Sequence, residues 1–380
     1  MTARPAILAV DGGGTKVDAV LLSRAGRVVA AARWSVSTYE GMDGDPVRLD
    51  GVAAAIRTVC TLAGRDPDAP PVAGLGVYCL AGADFPADER RIARRLASGG
   101  WTATDVVRND TFAVLRAGSD RGWGVAVVCG YGINCSAVAP DGRTFRFPAL
   151  GELSGDWGGG RDIGSLALWY ALRATDGRGA RTSLVKLVPE QFGMRRPATV
   201  MEAMHYGRLP AERIAELAPV VGRAARAGDP IARGILDRQA DEVVAMVGAA
   251  LRKLRMTRLD PDVVLGGGVM RGADHEFVRL ITQGVHKVAP AARVSVLPSP
   301  PVVGAALLGL DHLGAGPRAA AAVRRSLSSH RFASATGRGA ARGRSRRTVA
   351  RVEGAGAERG APRGERRHES AGRRPSQGRE

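Results

Sequence analysis

The stretch "LAVDGGGTKVDAVLLS", from Leu8 to Ser23, decides the fold because it places three glycines between two short apolar runs. A dinucleotide-binding turn needs a further glycine five positions after its first, where this chain has Val17. A P-loop lysine opens a helix, whereas Lys16 leads into a β-branched apolar run. The pattern therefore predicts a tight β-hairpin turn, which is either structural only or a nest of backbone N–H groups for an anion.

The same arrangement of strands around a glycine turn occurs twice along the chain. The apolar runs of the two sets are Ala6–Val10, Val17–Leu22 and Arg27–Trp34, then Gly124–Cys129, Asn134–Ala139 and Thr144–Phe147. The glycine turn of the second set is "CGYGIN", which begins at Cys129. Such repetition indicates a duplicated α/β fold, and helical spacing dominates from Gly160 to about Leu254.

Two further stretches carry carboxylates where elements begin or end. "VVRNDTF" (106–112) puts Asp110 directly after a strand. That residue is either a helix cap or a carboxylate in a site at the strand's carboxyl end. "GELSGDWGGG" (151–160) places Glu152 and Asp156 among closely spaced glycines, which suits a backbone that passes close to a ligand.

The net charge of +18 is distributed unevenly. Residues 315–380 contain 17 Arg, no Lys and 5 Glu, whereas residues 1–314 contain 38 basic and 32 acidic residues. The mild positive charge of the longer segment requires no nucleic-acid partner. The tail has almost no large apolar residue, so we expect it to be disordered. Non-specific contact with nucleic acid is an alternative role for it.

Cysteine usage and hydropathy favour a soluble cytoplasmic protein. The four cysteines form no CxxC pair, so we expect reduced, buried thiols. No apolar run reaches the length of a membrane span, and we expect no signal peptide before the first glycine turn.

Taken in order, the motifs resemble those of the eukaryotic-type N-acetylglucosamine kinases and the BadF/BadG/BcrA/BcrD ATPase family, within the sugar kinase–actin–chaperone ATPase superfamily. "DGGGTK" is similar to the first phosphate loop, "ND" to the catalytic motif and "GYGINC" to the second phosphate loop. "GELSGDWGGG" is similar to the sugar loop and "VLGGGV" to the adenosine loop. The resemblance covers about residues 6–313.

This resemblance implies an α/β fold of two duplicated ribonuclease-H-like (actin-like ATPase) lobes with a nucleotide cleft between them. The N-terminal lobe would span residues 1–118, and the C-terminal lobe, with a helical insertion, residues 119–300. A helix in residues 301–314 would return to the N-terminal lobe, and the Arg-rich disordered tail would be 315–380.

The resemblance also implies an ATP-dependent kinase that phosphorylates a hydroxyl of an amino sugar, with ATP and Mg²⁺ as cofactors. Asp110 would be the catalytic base, and Asp11 would hold the metal. The implied ATP-binding residues are Asp11, Gly13, Gly14, Thr15, Lys16, Gly130, Gly132, Gly266, Gly267 and Gly268. The implied substrate-binding residues are Thr38, Glu40, Asn109, Asp110, Gly151, Glu152 and Asp156.

Two departures from the family pattern bear on function. Tyr131 and Ile133 stand where the second phosphate loop usually has Thr and Ser, which suggests as an alternative a sensor or activator-type ATPase without sugar phosphorylation. Glu40 lies in a segment that usually contains Asn, and its charge suggests a preference for a free amine. The expected partner is a small-molecule sugar, with a homodimer common among such kinases and no specific nucleic acid or membrane contact.

Overall fold

The chain builds two sheets, in a computed structural model that describes residues 5–35, 49–69, 71–328 and 333–336. The strands are β1 (Ile7–Gly12), β2 (Lys16–Leu22), β3 (Val28–Ser35), β4 (Ala73–Leu80), β5 (Thr102–Asn109), β6 (Gly124–Cys129), β7 (Ile133–Val138), β8 (Thr144–Arg146), β9 (Asp262–Gly266), β10 (Arg293–Val296) and β11 (Ala333–Thr336).

The two sheets repeat one strand order. The first is β11-β3-β2-β1-β4-β5 and the second is β10-β9-β6-β7-β8, so β6 to β10 take the places of β1 to β5. In each sheet the first three strands form an antiparallel meander, and the next two run parallel to the first strand. We call the half built on the first sheet the N-lobe and the half built on the second the C-lobe.

Helices cover the faces of both sheets. They are α1 (Leu49–Leu62), α2 (Pro86–Gly99), α3 (Asp110–Gly118), α4 (Gly160–Thr175), α5 (Leu184–Gln191), α6 (Pro197–His205), α7 (Ala218–Arg226), α8 (Pro230–Lys253), α9 (Gly268–Arg271), α10 (His275–Val288), α11 (Val302–His312) and α12 (Pro317–Ser328). Short 3₁₀ helices occupy Gly151–Ser154 and Ala211–Leu217.

Residues 7–10 of the first strand are all apolar because both faces of the strand are covered. Ile7 and Ala9 join the core under α3 and α11, whereas Leu8 and Val10 join the core under α1 and α2. Side chains alternate between the faces of a strand, so one continuous apolar run supplies both cores. The buried strand ends at Asp11 and Gly12, where the first glycine turn begins.

Helices α3 and α11 form the layer between the two sheets. The α3 helix packs against β4 of the N-lobe and against β6 and β9 of the C-lobe, and α11 packs against β1 and β4. Their shared core includes Ala113 of α3, Leu307 of α11, and Ala126 and Val264 of the second sheet. The first residue of α3, Asp110, therefore lies where the lobes meet.

The tail begins differently from the sequence-based expectation. Disorder from residue 315 onward is wrong for α12, because Ala319, Val323 and Leu327 repeat at helical spacing and are buried against the N-lobe. The β11 strand then pairs in parallel with β3. The remainder of the predicted disordered tail, residues 337–380, lies outside the described residues.

The structure also bears on the cysteines, on membrane-spanning helices and on the lobe boundaries. All four cysteines are buried and free, as predicted. In the described part of the chain, no helix is long and apolar enough to cross a membrane. Both lobes belong to one compact unit, so the lobe boundaries at residues 118 and 300 stay predictions.

Candidate functional site

The first glycine turn joins β1 to β2 and opens to solvent-accessible space. The Gly13 N–H donates to the Lys16 carbonyl at 3.0 Å and closes the hairpin. A Cβ atom on Gly13 or Gly14 would meet no other atom within 4 Å, whereas one on Gly12 would lie 2.7 Å from Leu80 Cδ2. A side chain at Gly12 would crowd Leu80, whereas the next two glycines leave the backbone open to a ligand.

Lys16 contacts the carboxylate of Asp18. Its Nζ atom lies 2.9 Å from Asp18 Oδ2, and Arg33 Nε lies 2.6 Å from Asp18 Oδ1. Asp18 is wholly buried, so the two cations neutralise a carboxylate that would be costly to bury alone. A contact between Lys16 and phosphate therefore stays a prediction.

Asp11, near the end of β1 before the first glycine turn, is a buried carboxylate. It is only 7% exposed, and no described side chain hydrogen-bonds its carboxylate. Burial and the charges of Asp18 and Asp110 raise the pKa of Asp11 to about 8, although Lys16 and Arg33 oppose this effect. A buried carboxylate without a hydrogen-bonding side chain fits Mg²⁺, which prefers oxygen ligands and keeps several waters.

The second glycine turn, Gly130 to Gly132, rests on the start of α4. The Gly160 N–H donates to the Gly130 carbonyl at 2.8 Å, and the Arg161 N–H donates to the Tyr131 carbonyl at 2.9 Å. A Cβ atom on Gly130 or Gly132 would meet nothing within 4 Å. This turn therefore presents open backbone from the C-lobe, as the first turn does from the N-lobe.

The two residues of this turn that differ from the family pattern lie in different environments. The Tyr131 side chain is 39% exposed, whereas Ile133 is 6% exposed and belongs to the core of the C-lobe. A hydroxyl at position 133 would point into that core. Tyr131, where the family pattern has Thr, is therefore the residue that alters the open side of the turn.

The third glycine cluster serves packing at two of its three positions. Gly267 has φ of +95°, and its Cβ would lie 2.1 Å from the Cys129 carbonyl oxygen. A Cβ on Gly266 would lie 2.9 Å from Val114 Cγ1, whereas Gly268 faces open space. Only Gly268 is therefore free of a packing requirement that explains the glycine.

Asp110 is the first residue of α3, and the capping role belongs to its neighbour. The Asn109 side chain accepts a hydrogen bond from the Thr111 N–H at 3.1 Å, so Asn109 is the N-cap. The alternative that Asp110 is merely the cap is therefore wrong. Asp110 is half-buried, and burial together with the charge of Asp84 raises its pKa to about 7.

Sequence reasoning missed two residues beside Asp110, namely Asp84 and Asn134. Asp84 Oδ1 accepts hydrogen bonds from Asn109 Nδ2 at 2.9 Å and from Asn134 Nδ2 at 3.2 Å. Burial and the charge of Asp88 raise the pKa of Asp84 to about 6. A carboxylate just after β4, at the carboxyl end of a parallel strand, was the signal that could have identified Asp84.

A second pair of contacts joins the lobes nearby. Arg146, at the end of β8, donates to Glu89 Oε1 at 2.6 Å and to the Ala83 carbonyl at 3.2 Å. Both Arg146 and Glu89 are mostly buried, so this ion pair is less screened by water than an exposed one. These contacts hold β8 of the C-lobe against α2 of the N-lobe.

The predicted sugar loop begins with the 3₁₀ helix at Gly151. Asp156 is 7% exposed, its N–H donates to the Gly151 carbonyl at 2.9 Å, and its carboxylate accepts from the Ser154 hydroxyl. Glu152 is exposed. Of the predicted substrate-binding residues, Thr38 and Glu40 lie outside the described residues.

Comparison with known proteins identifies the family. The model of the BadF/BadG/BcrA/BcrD ATPase family matches residues 8–309, which is most of the chain. The chain belongs to the BadF/BadG/BcrA/BcrD ATPase family. The family predicted from the order of the motifs is therefore confirmed.

Two curated proteins align with this chain over long stretches. It is 25% identical over 312 residues to an N-acetyl-D-glucosamine kinase of Dictyostelium discoideum, covering 80% of this chain and 97% of that protein. It is 28% identical over 211 residues to an N-acetylmuramic acid/N-acetylglucosamine kinase of Clostridium acetobutylicum, covering 55% and 69%.

Solved structures match the fold of this family member. A protein of Chromobacterium violaceum, provisionally named an N-acetylglucosamine kinase, superposes with a TM-score of 0.63 at 24% identity. The match covers 80% of this chain and 99% of that one. The predicted fold of duplicated actin-like ATPase lobes is therefore confirmed.

Proposed function

We propose that this protein is an ATP-dependent kinase that phosphorylates a hydroxyl of an amino sugar of the N-acetylglucosamine or glucosamine type. The observation that carries the proposal is the half-buried Asp110 carboxylate where the lobes meet. It lies within electrostatic range of Asp11 and follows Asn109, which contacts Asn134 beside the second glycine turn. The curated relatives named as kinases of amino sugars support the choice of substrate class.

ATP would bind between the two open glycine turns. Backbone N–H groups of Gly13 and Gly14, with the Thr15 hydroxyl, would contact the β- and γ-phosphates from the N-lobe, and Gly130 and Gly132 would approach from the C-lobe. Asp11 would hold Mg²⁺, directly or through water. When bound, Mg²⁺ neutralises charge on the phosphates.

Asp110 would accept the proton of the sugar hydroxyl as that oxygen attacks the γ-phosphorus of ATP. The bond from the γ-phosphorus to the bridging oxygen breaks, and ADP leaves. Phosphoryl transfer requires positioning and electrostatic stabilisation more than covalent participation by the protein. A carboxylate aimed at the hydroxyl supplies alignment and takes up the proton.

The sugar would lie against the loop that begins at Gly151. Asp156 is buried with its carboxylate held by Ser154, which suits a fixed acceptor for sugar hydroxyls. Asn109 and Glu152 would line the same region. Glu40 would favour a free amine, and a preference for glucosamine over N-acetylglucosamine of less than about tenfold would contradict that part.

The second candidate is a sensor or activator-type ATPase of the same family, which the exposed Tyr131 side chain favours. A tyrosine at this turn replaces a smaller hydroxyl residue that could donate to phosphate. Such a protein would bind ATP but would not transfer phosphate to a sugar.

One experiment separates the two candidates. ADP release from Mg-ATP is measured across a panel of hexoses and hexosamines, with Asp110→Asn and, as a matched control, Asp141→Asn in the exposed β7–β8 hairpin. The kinase predicts sugar-dependent release that falls by about 10²- to 10⁴-fold in Asp110→Asn only. Release without sugar dependence indicates an activator-type ATPase, and ATP binding without release indicates a sensor.

A further inference from the structure

Gln239 is a buried polar residue in the middle of α8 that the proposed chemistry does not use. It is wholly buried, and a buried amide is costly unless its hydrogen bonds are satisfied. Its Oε1 atom accepts a hydrogen bond from the Gly159 N–H at 2.7 Å. Its Nε2 atom lies 3.9 Å from Cys129 Sγ, at the end of β6. One amide thus contacts both the strand that leads into the second glycine turn and the segment that packs against that turn.

The segment held by Gln239 packs closely against its neighbours. Gly158 and Gly159 both have positive φ, of +140° and +85°. A Cβ on Gly158 would lie 2.7 Å from the Gln239 amide, and one on Gly159 would lie 2.3 Å from the Gly132 carbonyl oxygen. These glycines are therefore enclosed between the Gln239 side chain and the second glycine turn.

The next residues of this segment hold the turn itself. The N–H groups of Gly160 and Arg161 donate to the carbonyls of Gly130 and Tyr131. A displacement of Gly159 would move these donors and, with them, the turn. The chain of contacts therefore runs from the Gln239 amide through Gly159 to the open backbone of the turn.

We propose that Gln239 is a positioning residue for the second glycine turn and that it sets the affinity for the nucleotide phosphates. It acts through Gly159 and does not touch the ligand. The inference rests on the proposed binding of ATP at this turn. It concerns nucleotide affinity, so it holds for a kinase and for a sensor alike.

The test compares Gln239→Met, which keeps the volume and removes both hydrogen-bonding atoms, with Val243→Ala. Val243 is equally buried one turn further along α8, so its truncation lowers stability without removing the hydrogen bond between Gln239 and Gly159. Melting temperature and the Kd of Mg-ATP are measured in the full chain, together with KM for ATP and for the sugar.

Both variants are expected to have a lower melting temperature than the wild type. Only Gln239→Met is expected to raise the Kd and KM of ATP, by about tenfold, with KM for the sugar unchanged. If Gln239→Met does not fold, Gln239→Asn, which is too short to reach Gly159, replaces it with the same expectation.

Equal ATP affinity in Gln239→Met and Val243→Ala would overturn the inference and leave the proposed function intact. A wild-type chain that binds no Mg-ATP would overturn both. A loss of affinity in Gln239→Met without sugar-dependent turnover in the wild type would support the positioning role and reject the kinase.

Discussion

The Asp84 carboxylate of the N-lobe accepts a hydrogen bond from the Asn134 amide of the C-lobe at 3.2 Å, beside the proposed base. The same oxygen accepts from Asn109, the cap of the helix that begins with Asp110. Asp84 therefore joins the lobes and fixes the start of α3. Its negative charge is also the largest electrostatic influence on Asp110 after burial.

Replacing Asp84 by Asn should move the acid limb of the activity profile to lower pH. Asp110, with a pKa of about 7, accepts a proton only when ionised, so activity should fall below that pH. Asp84, with a pKa of about 6, is charged where Asp110 titrates. Its removal should lower the midpoint by roughly one pH unit in kcat/KM measured from about pH 5 to pH 9.

The matched control for this shift is Asp141→Asn. Asp141 is exposed, and its carboxylate contacts Arg143 within the same hairpin. The pH profile of Asp141→Asn should match that of the wild type. An unchanged midpoint in Asp84→Asn would show that the charge of Asp84 does not act on Asp110.

Substitutions in the third glycine cluster should separate packing from ligand contact. Gly267→Ala places a Cβ 2.1 Å from the Cys129 carbonyl oxygen at a positive φ. We therefore expect the free energy of unfolding to fall by about 1–3 kcal/mol. Gly268→Ala meets no atom within 4 Å and should leave stability unchanged. Thermal melts and the Kd of Mg-ATP measure both effects.

A role for Gly268 beside adenosine requires a weaker Kd in Gly268→Ala at normal stability. Unchanged affinity there would remove this residue from the nucleotide site. A normal melting temperature for Gly267→Ala would contradict the close approach of β9 to β6 at this point.

Truncation should show that α12 is part of the folded protein. A chain ending at Gly314 loses the buried side chains of Val323 and Leu327, together with the hydrogen bond from Arg324 to the Ala117 carbonyl. Burial of these two side chains is worth about 3–6 kcal/mol as an upper estimate. A chain ending at residue 336 keeps them and should melt and turn over as the full chain does. Denaturant unfolding of the two truncated chains makes the comparison, and equal stabilities would contradict the packing of α12.

Much of the fold could be predicted because its signals are local. A glycine turn between two apolar runs is read within one short segment, and its recurrence at Gly130 indicated the duplication. The carboxylate after β5, Asp110, was visible for the same reason. The helical spacing of Ala319, Val323 and Leu327 was also present in the sequence, but the Arg-rich composition around it obscured that signal.

The residues that were missed act over long distances along the chain. Asp84 meets Asn134 across 50 residues, and Gln239 meets Gly159 across 80. No spacing rule connects such pairs, because their proximity arises only when the two lobes and α8 have packed. Likewise, the chain itself does not reveal that Gly267 is needed for packing while Gly268 faces open space.

Restoring a small hydroxyl residue in the second glycine turn should strengthen ATP binding at one position only. Tyr131→Thr places a hydroxyl on the open side of the turn, and one added hydrogen bond corresponds to a fall of about two- to tenfold in KM for ATP. Ile133→Ser puts its hydroxyl into the core of the C-lobe, so it should cost at least about 2 kcal/mol of stability and leave affinity unchanged. Initial rates against ATP concentration, with melting temperatures for both variants, test the pair. An unchanged KM for ATP in Tyr131→Thr would mean that the side chain at this position does not reach the phosphates.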